Sequence, residues 1–143
     1  MPPKFTTLKT ATATSRILYA DDDSDDRNFL SESLAANGFQ ADLVYANDGE
    51  EAIDYLKVAN QQNNLPSLIV LDLNMPRRDG KETLSYLKAN PQFAGIPVVI
   101  LSTSGNKTDK DDCVRLGAIS YFTKPDRYED YIQIIKSFQS YIH

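Results

Sequence analysis

An acidic stretch, YADDDSDDRNFLSE, contains the first residues of this chain that could do chemistry. Five aspartates occupy the six positions 21–26. Like charges at this density repel one another unless a cation or water compensates them. Further along, Asp72, Ser102 and Lys124 each follow a short apolar run of the kind that forms a buried strand. Carboxylates, a hydroxyl and an ammonium are therefore candidates for one shared site.

The types of these side chains point to phosphoryl transfer at a magnesium site. Two or three carboxylates without histidine or cysteine form a hard oxygen site, which suits Mg²⁺ rather than zinc. A carboxylate beside such a metal can attack phosphorus and form an aspartyl phosphate. A lysine and a hydroxyl can hold the phosphoryl oxygens, because phosphoryl transfer depends mainly on positioning and charge neutralisation.

These side chains meet only if alternating strands and helices position them. Short apolar runs predict five strands, each followed by a helical pattern, at residues 16–20, 41–46, 68–72, 97–102 and 120–123. Five βα units in series predict a parallel sheet with helices on both faces and right-handed crossovers. Such sheets bind ligands beyond the carboxyl ends of their strands, where five of the polar side chains fall: Asp21, Asp22, Asp72, Ser102 and Lys124. Periodicity alone does not determine the strand order.

Composition limits the class of protein. A length of 143 residues fits one domain, and the net charge of −5 argues against a nucleic-acid surface. The apolar runs are too short to span a bilayer, so no membrane segment is predicted. The single cysteine, Cys113, excludes an internal disulfide and favours a cytoplasmic location. Residues 1–15 are predicted to be a disordered tail, and residues 16–143 the folded domain.

Four motifs in order resemble the receiver domain of response regulators in two-component signalling: ADDD, LDLNMPRRDG, PVVILSTS and YFTKP. The resemblance covers residues 16–142. It implies a doubly wound, flavodoxin-like α/β fold with five helices and a five-stranded parallel sheet in the order 2-1-3-4-5. Within the family, NMPRRDGKE and STSGN look most like the single-domain regulators that partner bacterial phytochrome kinases.

The resemblance also assigns roles to the acidic residues. Asp72 corresponds to the phosphoacceptor of the family. Asp21 and Asp22 match its acidic pair, with Asp22 as the direct Mg²⁺ ligand and Asp21 acting mainly through metal-bound water. The main-chain carbonyl of Asn74 corresponds to a further metal ligand.

The implied site is completed by four further residues, all of which come later in the chain than the third strand. Lys124 corresponds to the lysine that pairs with the phosphoryl group, and Ser102 to the switch hydroxyl. Tyr121 falls where the family has an aromatic ring that turns inward when the hydroxyl engages the phosphoryl group. Pro125 follows the lysine in a bond that the family often holds cis. The remaining acidic residues of the first stretch, Asp23, Asp25 and Asp26, are predicted to be solvated and to stabilise the start of a helix.

The implied partners are proteins rather than nucleic acids or membranes. His143 is the only histidine, so the phosphoryl group is expected to come from a histidine kinase or a histidine phosphotransfer protein on another chain, or from a small acyl phosphate. A phytochrome-type kinase is one expected donor. The chain is expected to signal through protein contacts and to act as an enzyme only on its own acyl phosphate.

Other functions fit the same residues less well. Asp21, Asp23, Asp25 and Glu32 have the spacing of a calcium-binding EF-hand loop, but Asp26 stands where that loop needs glycine. A phosphatase with an Asp-x-Asp nucleophile pair would need a general acid where this chain has Asn74. Nucleotide hydrolysis lacks its glycine-rich phosphate loop. A receiver-like interaction module that is never phosphorylated stays open as an alternative.

The last helix is predicted to carry a partner surface. Its core-facing stripe is expected to consist of Tyr131, Ile132, Ile135 and Ile142. Three further residues widen the apolar arc and are predicted to contact a partner: Ile134, Phe138 and Tyr141. Receiver domains often associate through their fourth helix, fifth strand and fifth helix, so the resemblance implies a homodimer or a kinase contact there.

Overall fold

A computed structural model describes residues 15–141 of the chain. Residues 1–14 of the predicted tail, Ile142 and His143 lie outside the described residues. Ser15, predicted as the last residue of the tail, is instead the first residue of β1, where it pairs with Ala41. Five strands form one parallel sheet in the order β2-β1-β3-β4-β5. In chain order the elements are β1 Ser15–Ala20, α1 Ser24–Ala36, β2 Ala41–Ala46, α2 Gly49–Gln61, β3 Leu68–Leu71, α3 Gly80–Ala89, α4 Pro91–Ala94, β4 Val98–Ser102, α5 Lys107–Leu116, β5 Ser120–Thr123 and α6 Tyr131–Phe138.

The sheet is covered on both faces, as the apolar runs predict. Every residue of β3 and β4 is buried. Alternate strand residues point to opposite faces, so the same strands build two cores. One core contains Leu18, Ile69 and Ile100 under helices α2, α3 and α5, and the other contains Ile17, Val70 and Val99 under α1 and α6. The predicted doubly wound fold and its strand order are confirmed.

The connections from strand to helix end in capping residues. The side chains of Asp23, Asp48, Asp79 and Asn106 each accept a hydrogen bond from a main-chain N–H of the first turn of α1, α2, α3 and α5, respectively. A cap of this kind satisfies N–H groups that have no partner within the helix, and it fixes where the helix begins. The helices therefore start close to the carboxyl ends of the strands.

The described chain has six α-helices where five were predicted. The additional helix, α4, is short and has Pro91 as its first residue. Proline suits the first position of a helix because the N–H that it lacks would have no partner there. Lys88 stabilises this connection, since its ammonium donates to the carbonyls of Ala94 at 3.0 Å and Ile96 at 2.9 Å. The fourth and fifth helices of the prediction therefore correspond to α5 and α6.

Helix α6 packs onto the sheet with a different stripe from the predicted one. Its buried residues are Tyr131, Ile134, Ile135 and Phe138, which have the i, i+3, i+4, i+7 spacing of one helix face. Ile132 is only partly buried. The prediction that Ile134 and Phe138 contact a partner is wrong, because the core against α1, β1 and β3 takes them up. Tyr141 packs against the same core and is partly buried.

Within residues 15–141, no helix is both long enough and apolar enough to cross a bilayer.

Candidate phosphoacceptor and metal site

The candidate site lies at the carboxyl edge of the sheet, where β1 and β3 are neighbours. The chain runs from β1 outward to β2 and then returns to β3 on the other side, so the strand order reverses here. The main-chain N–H of Asp72 donates to the carbonyl of Ala20, and that of Asp21 donates to the carbonyl of Ala46, both at 3.0 Å. The sheet hydrogen-bonding pattern thus continues one residue past each strand and fixes both carboxylates at this edge.

Three carboxylates converge as the sequence predicts. Each of Asp21, Asp22 and Asp72 offers one carboxylate oxygen, and these atoms lie within 4.8 Å of one another. Asp21 and Asp72 are buried, whereas Asp22 is exposed. Three oxygen donors with no nitrogen or sulfur donor fit Mg²⁺ or a similar hard cation, with water free to reach the exposed side.

Asp21 is already engaged by the protein on both oxygens. One oxygen accepts the main-chain N–H of Asp23 at 2.9 Å, and the other accepts the hydroxyl of Tyr19 at 2.8 Å. Burial and the charge of Asp21 raise the pKa of Tyr19 far above its usual range, so this hydroxyl stays a donor. These contacts are compatible with a role for Asp21 that is less direct than that of Asp22.

Lys124 joins the acidic groups to one another. Its side chain is 6 % exposed, and its ammonium lies 2.8 Å from Asp21, 2.6 Å from Asp26 and 3.1 Å from Asp72. Burial opposes the charge on this lysine, but the hydrogen bonds to Asp21 and Asp26 and the charge of Asp72 outweigh burial and raise the pKa of Lys124 above its usual range. The ammonium is therefore a permanent positive charge at the site.

The site holds less positive than negative charge. Burial is the largest cause that raises the pKa of Asp72, and the neighbouring charge of Asp21 adds to it, while Lys124 acts in the opposite direction. The net effect is a pKa above the ordinary value for aspartate. A raised pKa means that keeping Asp72 charged costs free energy. A divalent cation bound by Asp21, Asp22 and Asp72 would offset that cost, which is the electrostatic reason to expect a metal here.

The loop after Asp72 is held in place by a second set of contacts. The guanidinium of Arg77 donates to both oxygens of Asp48, at 2.8 and 3.0 Å, and Arg77 has a left-handed backbone with φ of 63°. Gly80 begins α3 against the main chain of the loop, where an added Cβ would overlap the carbonyl oxygen of Asp72. The motif RRDG therefore shapes the loop that carries Asn74, whose main-chain carbonyl keeps its role as a predicted ligand.

The predicted switch residues lie on the next two strands. Ser102 is fully buried at the end of β4, and its oxygen accepts the N–H of Ser104 at 3.3 Å. The hydroxyl of Tyr121 on β5 donates to the carbonyl of Ser104 at 2.6 Å, and the ring is partly buried. The loop after Ser102 is thus hydrogen-bonded to Tyr121, which gives the two residues a physical connection.

Two expectations for neighbouring residues are corrected. The Lys124–Pro125 bond is trans, like the other peptide bonds of residues 15–141. Trans is the favoured isomer of an X–Pro bond by about 0.5–1 kcal/mol. With this isomer the ammonium of Lys124 contacts Asp21, Asp26 and Asp72. Asp26 is not merely solvated, because it forms the shortest ion pair of Lys124.

The sequence contained a signal for Asp26. Leu30 and Leu34, which follow it at intervals of four residues, are buried against the sheet. Residues i, i+4 and i+8 share one helix face, so Asp26 lies on the face of α1 that meets the core. The EF-hand alternative fails for a related reason: α1 already begins at Ser24, inside the segment that would form the calcium loop.

Comparison with known proteins identifies the family. The profile of the response regulator receiver domain matches residues 17–136. The chain belongs to the response regulator receiver domain family. It is 33% identical to the response regulator Rcp1 of Synechocystis over 127 residues, which cover 87% of this chain and 86% of Rcp1.

Solved structures agree with this assignment. The Mn²⁺-bound form of Rcp1 matches with a TM-score of 0.77 and 32% identity, covering 89% of this chain and 93% of Rcp1. The phosphorylated cyanobacterial phytochrome response regulator RcpA matches with a TM-score of 0.80 and 35% identity, covering 90% and 93%. The bacteriophytochrome response regulator AtBRR matches with a TM-score of 0.75 and 30% identity, covering 91% and 94%. The predicted resemblance to phytochrome-associated regulators is confirmed, and the protein is a receiver-domain response regulator of two-component signalling.

Proposed function

We propose that this protein accepts a phosphoryl group on Asp72 in a Mg²⁺-dependent reaction and signals through contacts with other proteins. One observation carries the proposal: the buried carboxylate of Asp72 contacts Lys124 and shares a ligating cluster with Asp21 and Asp22. The donor is a histidine kinase or a histidine phosphotransfer protein. A phytochrome-type kinase is favoured, because RcpA and AtBRR are described as phytochrome and bacteriophytochrome response regulators.

The side chains divide the work of phosphoryl transfer. Asp22, Asp72 and the carbonyl of Asn74 would hold Mg²⁺ directly, and Asp21 would act mainly through metal-bound water. The bound ion would neutralise phosphoryl oxygens. A carboxylate oxygen of Asp72 attacks phosphorus, and the bond between phosphorus and the donor imidazole breaks with its electron pair on nitrogen. The ammonium of Lys124 then binds a phosphoryl oxygen.

The output begins at Ser102. Its hydroxyl binds the phosphoryl group, and the loop to Ser104 shifts with it, which changes the hydrogen bond that Tyr121 makes to this loop. The surface of α5, β5 and α6 changes as a result and presents a new contact to a partner. A homodimer through this surface would use exposed apolar residues such as Val114 and Ile119, since Ile134 and Phe138 are buried.

The reaction is confined to the protein's own acyl phosphate, so the chain is a signalling protein that serves no external substrate. A cytoplasmic location is part of the proposal, because it places the protein beside the phosphorylated histidine of a kinase. Cys113 is compatible with a reducing compartment: it is a free, buried thiol, and burial raises its pKa.

A labelling experiment tests the proposal. The protein is incubated with acetyl phosphate and Mg²⁺, and the phosphoryl group is measured by intact mass before and after hydroxylamine. The parent should gain one hydroxylamine-labile group, and Asp72→Asn should gain none. Asp54→Asn is the matched control, since Asp54 is an exposed aspartate on α2. Equal labelling of Asp72→Asn and the parent would exclude Asp72, and no labelling of the parent even by a kinase would favour an unphosphorylated interaction module.

A further inference from the structure

Asp26 is a fourth carboxylate at the site, and the proposed reaction does not use it. Its oxygen lies 2.6 Å from the ammonium of Lys124, a shorter distance than those from the same nitrogen to Asp21 and Asp72. An ammonium has three N–H donors, and Lys124 has three carboxylate partners. All of its donors are therefore committed before any phosphoryl group arrives.

The position of Asp26 is set by helix α1. Its main-chain N–H donates to the capping carboxylate of Asp23 at 3.4 Å, and its negative charge is favoured in the first turn of a helix. The side chain is 22 % exposed, and it lies one helical turn before buried Leu30. Asp25, its neighbour in the same turn, is exposed. The fold thus aims one of two adjacent aspartates at Lys124.

We propose that Asp26 is a positioning residue that competes with the phosphoryl group on Asp72 for Lys124. The inference rests on the proposed phosphorylation of Asp72. A phosphoryl oxygen can bind Lys124 only by displacing or sharing one of its three carboxylates, and Asp26 is the partner that belongs to neither the phosphoacceptor nor the acidic metal pair. Its charge also repels the phosphoryl group while attracting the cation.

This account predicts effects of opposite sign on the two ligands of the site. Removing the charge of Asp26 should make an anion bind more tightly, because Lys124 is released and a nearby negative charge is lost. The same change should make Mg²⁺ bind more weakly, because the site loses negative charge. A general loss of structure would weaken both ligands, so the opposite signs separate positioning from damage.

The experiment uses beryllofluoride as the phosphoryl mimic and Mg²⁺ alone as the cation, each measured by isothermal titration of the whole chain. For Asp26→Asn, beryllofluoride at saturating Mg²⁺ should bind about threefold to tenfold more tightly, and Mg²⁺ about twofold to threefold more weakly. The control Asp25→Asn removes the same charge from the same helical turn without touching Lys124, and it should change neither affinity by more than about 1.5-fold. Asp26→Glu keeps the charge and should resemble the parent.

Specific results would overturn the inference. If the parent binds both ligands, the competition is refuted by an Asp26→Asn variant that matches Asp25→Asn or that loses affinity for both ligands. Either result would leave the proposed phosphorylation of Asp72 intact. A parent that binds neither ligand would refute the proposed function and this inference together. Asp26→Ser also removes the charge and provides the same test if Asp26→Asn does not fold, as monitored by circular dichroism.

Discussion

Two clusters in this molecule join one lysine to several aspartates, and they differ in burial and in what holds them. At the carboxyl edge of the sheet, Lys124 is 6 % exposed and contacts Asp21, Asp26 and Asp72. On the outer side of α3, Lys81 is 32 % exposed and contacts Asp109 at 2.6 Å and Asp112 at 3.0 Å. The first cluster is anchored by strand ends, and the second joins two helices across the surface.

The comparison shows that a nearby lysine does not by itself determine the charge of a carboxylate. Hydrogen bonds from Lys81 and then Ser104 lower the pKa of Asp109. Burial and then Asp21 raise the pKa of Asp72, although Lys124 is in contact with it. Arg115 also pairs with Asp112, at 2.8 Å, so the surface cluster has two positive and two negative groups. The buried cluster has one lysine for Asp21, Asp26 and Asp72, so it lacks positive charge and can accept a cation. The proposed binding of Mg²⁺ depends on that imbalance.

Replacing the central lysine should reduce stability most in the buried cluster, where that lysine is Lys124. Lys124→Met leaves Asp21, Asp26 and Asp72 without their ammonium partner. It should lower the free energy of unfolding by about 3 kcal/mol in EDTA, because buried carboxylates lose the positive charge that compensates them. Mg²⁺ should restore part of the loss. Urea denaturation with and without Mg²⁺ measures both effects, and unchanged stability in EDTA would show that the buried cluster needs no cation.

The main chain around Asp72 should be the next most sensitive feature. Gly80→Ala places a Cβ against the carbonyl of Asp72 and 2.7 Å from the Cα of Leu73, so it should cost about 2 kcal/mol of unfolding free energy and weaken Mg²⁺ binding. Gly95→Ala is the matched control, since its Cβ would meet nothing within 4 Å. Equal stability of the two variants by urea denaturation would contradict the close approach of α3 to the loop after Asp72.

The pH dependence of the two aspartates should differ in sign. In EDTA, a carbon-13 NMR titration should place the pKa of Asp109 below the ordinary value of aspartate and that of Asp72 above it. The stabilisation from Asp109 is present above the ordinary pKa and is lost as pH falls through its lowered pKa. The penalty from Asp72 is absent at low pH and develops as pH rises through its raised pKa. Identical titration of both groups would remove the contrast between the clusters.

The smallest effect on stability is expected at the surface lysine. Lys81→Met should lower the melting temperature by only a few degrees, because exposed ion pairs contribute little. It should still loosen the loop after Ser102, since Asp109 accepts a hydrogen bond from the hydroxyl of Ser104. Amide hydrogen exchange of that loop measures the loosening. Lys107→Met is the control, because among residues 15–141 Lys107 forms its ion pair with Asp111 on its own helix. If Lys81→Met lost as much stability as Lys124→Met, burial would not explain the difference between the two clusters.

Much of this arrangement could be predicted from the sequence, for identifiable physical reasons. Strands buried on both faces are continuous apolar runs, and the polar residue that ends each run marks the carboxyl edge of the sheet. The positions of Asp21, Asp22, Asp72, Ser102 and Lys124 at that edge follow from this rule. The strand order came from the family resemblance, because periodicity carries no information about which strands are neighbours.

The errors arose where two solutions satisfy the same local rule. The apolar residues of α6 span about half of its circumference, which is wider than the ~100° stripe of a typical surface helix. Its sequence therefore allows more than one core-facing stripe, and the sheet selects the one with Ile134 and Phe138. Pro91 fits both the end of one helix and the start of another. The negative charge of Asp26 is favourable in the first turn of α1 whichever way its side chain points, so the helix pattern does not predict a partner. The partner is determined by the position of α1 next to Lys124.

The most direct test of the account identifies the residue that carries the phosphoryl group. After phosphorylation in Mg²⁺, borohydride reduces an aspartyl phosphate to homoserine, which peptide mass spectrometry locates along the chain. The account predicts homoserine at position 72 and at none of the positions 21, 22 and 26. Homoserine at one of those positions, with aspartate retained at position 72, would contradict it.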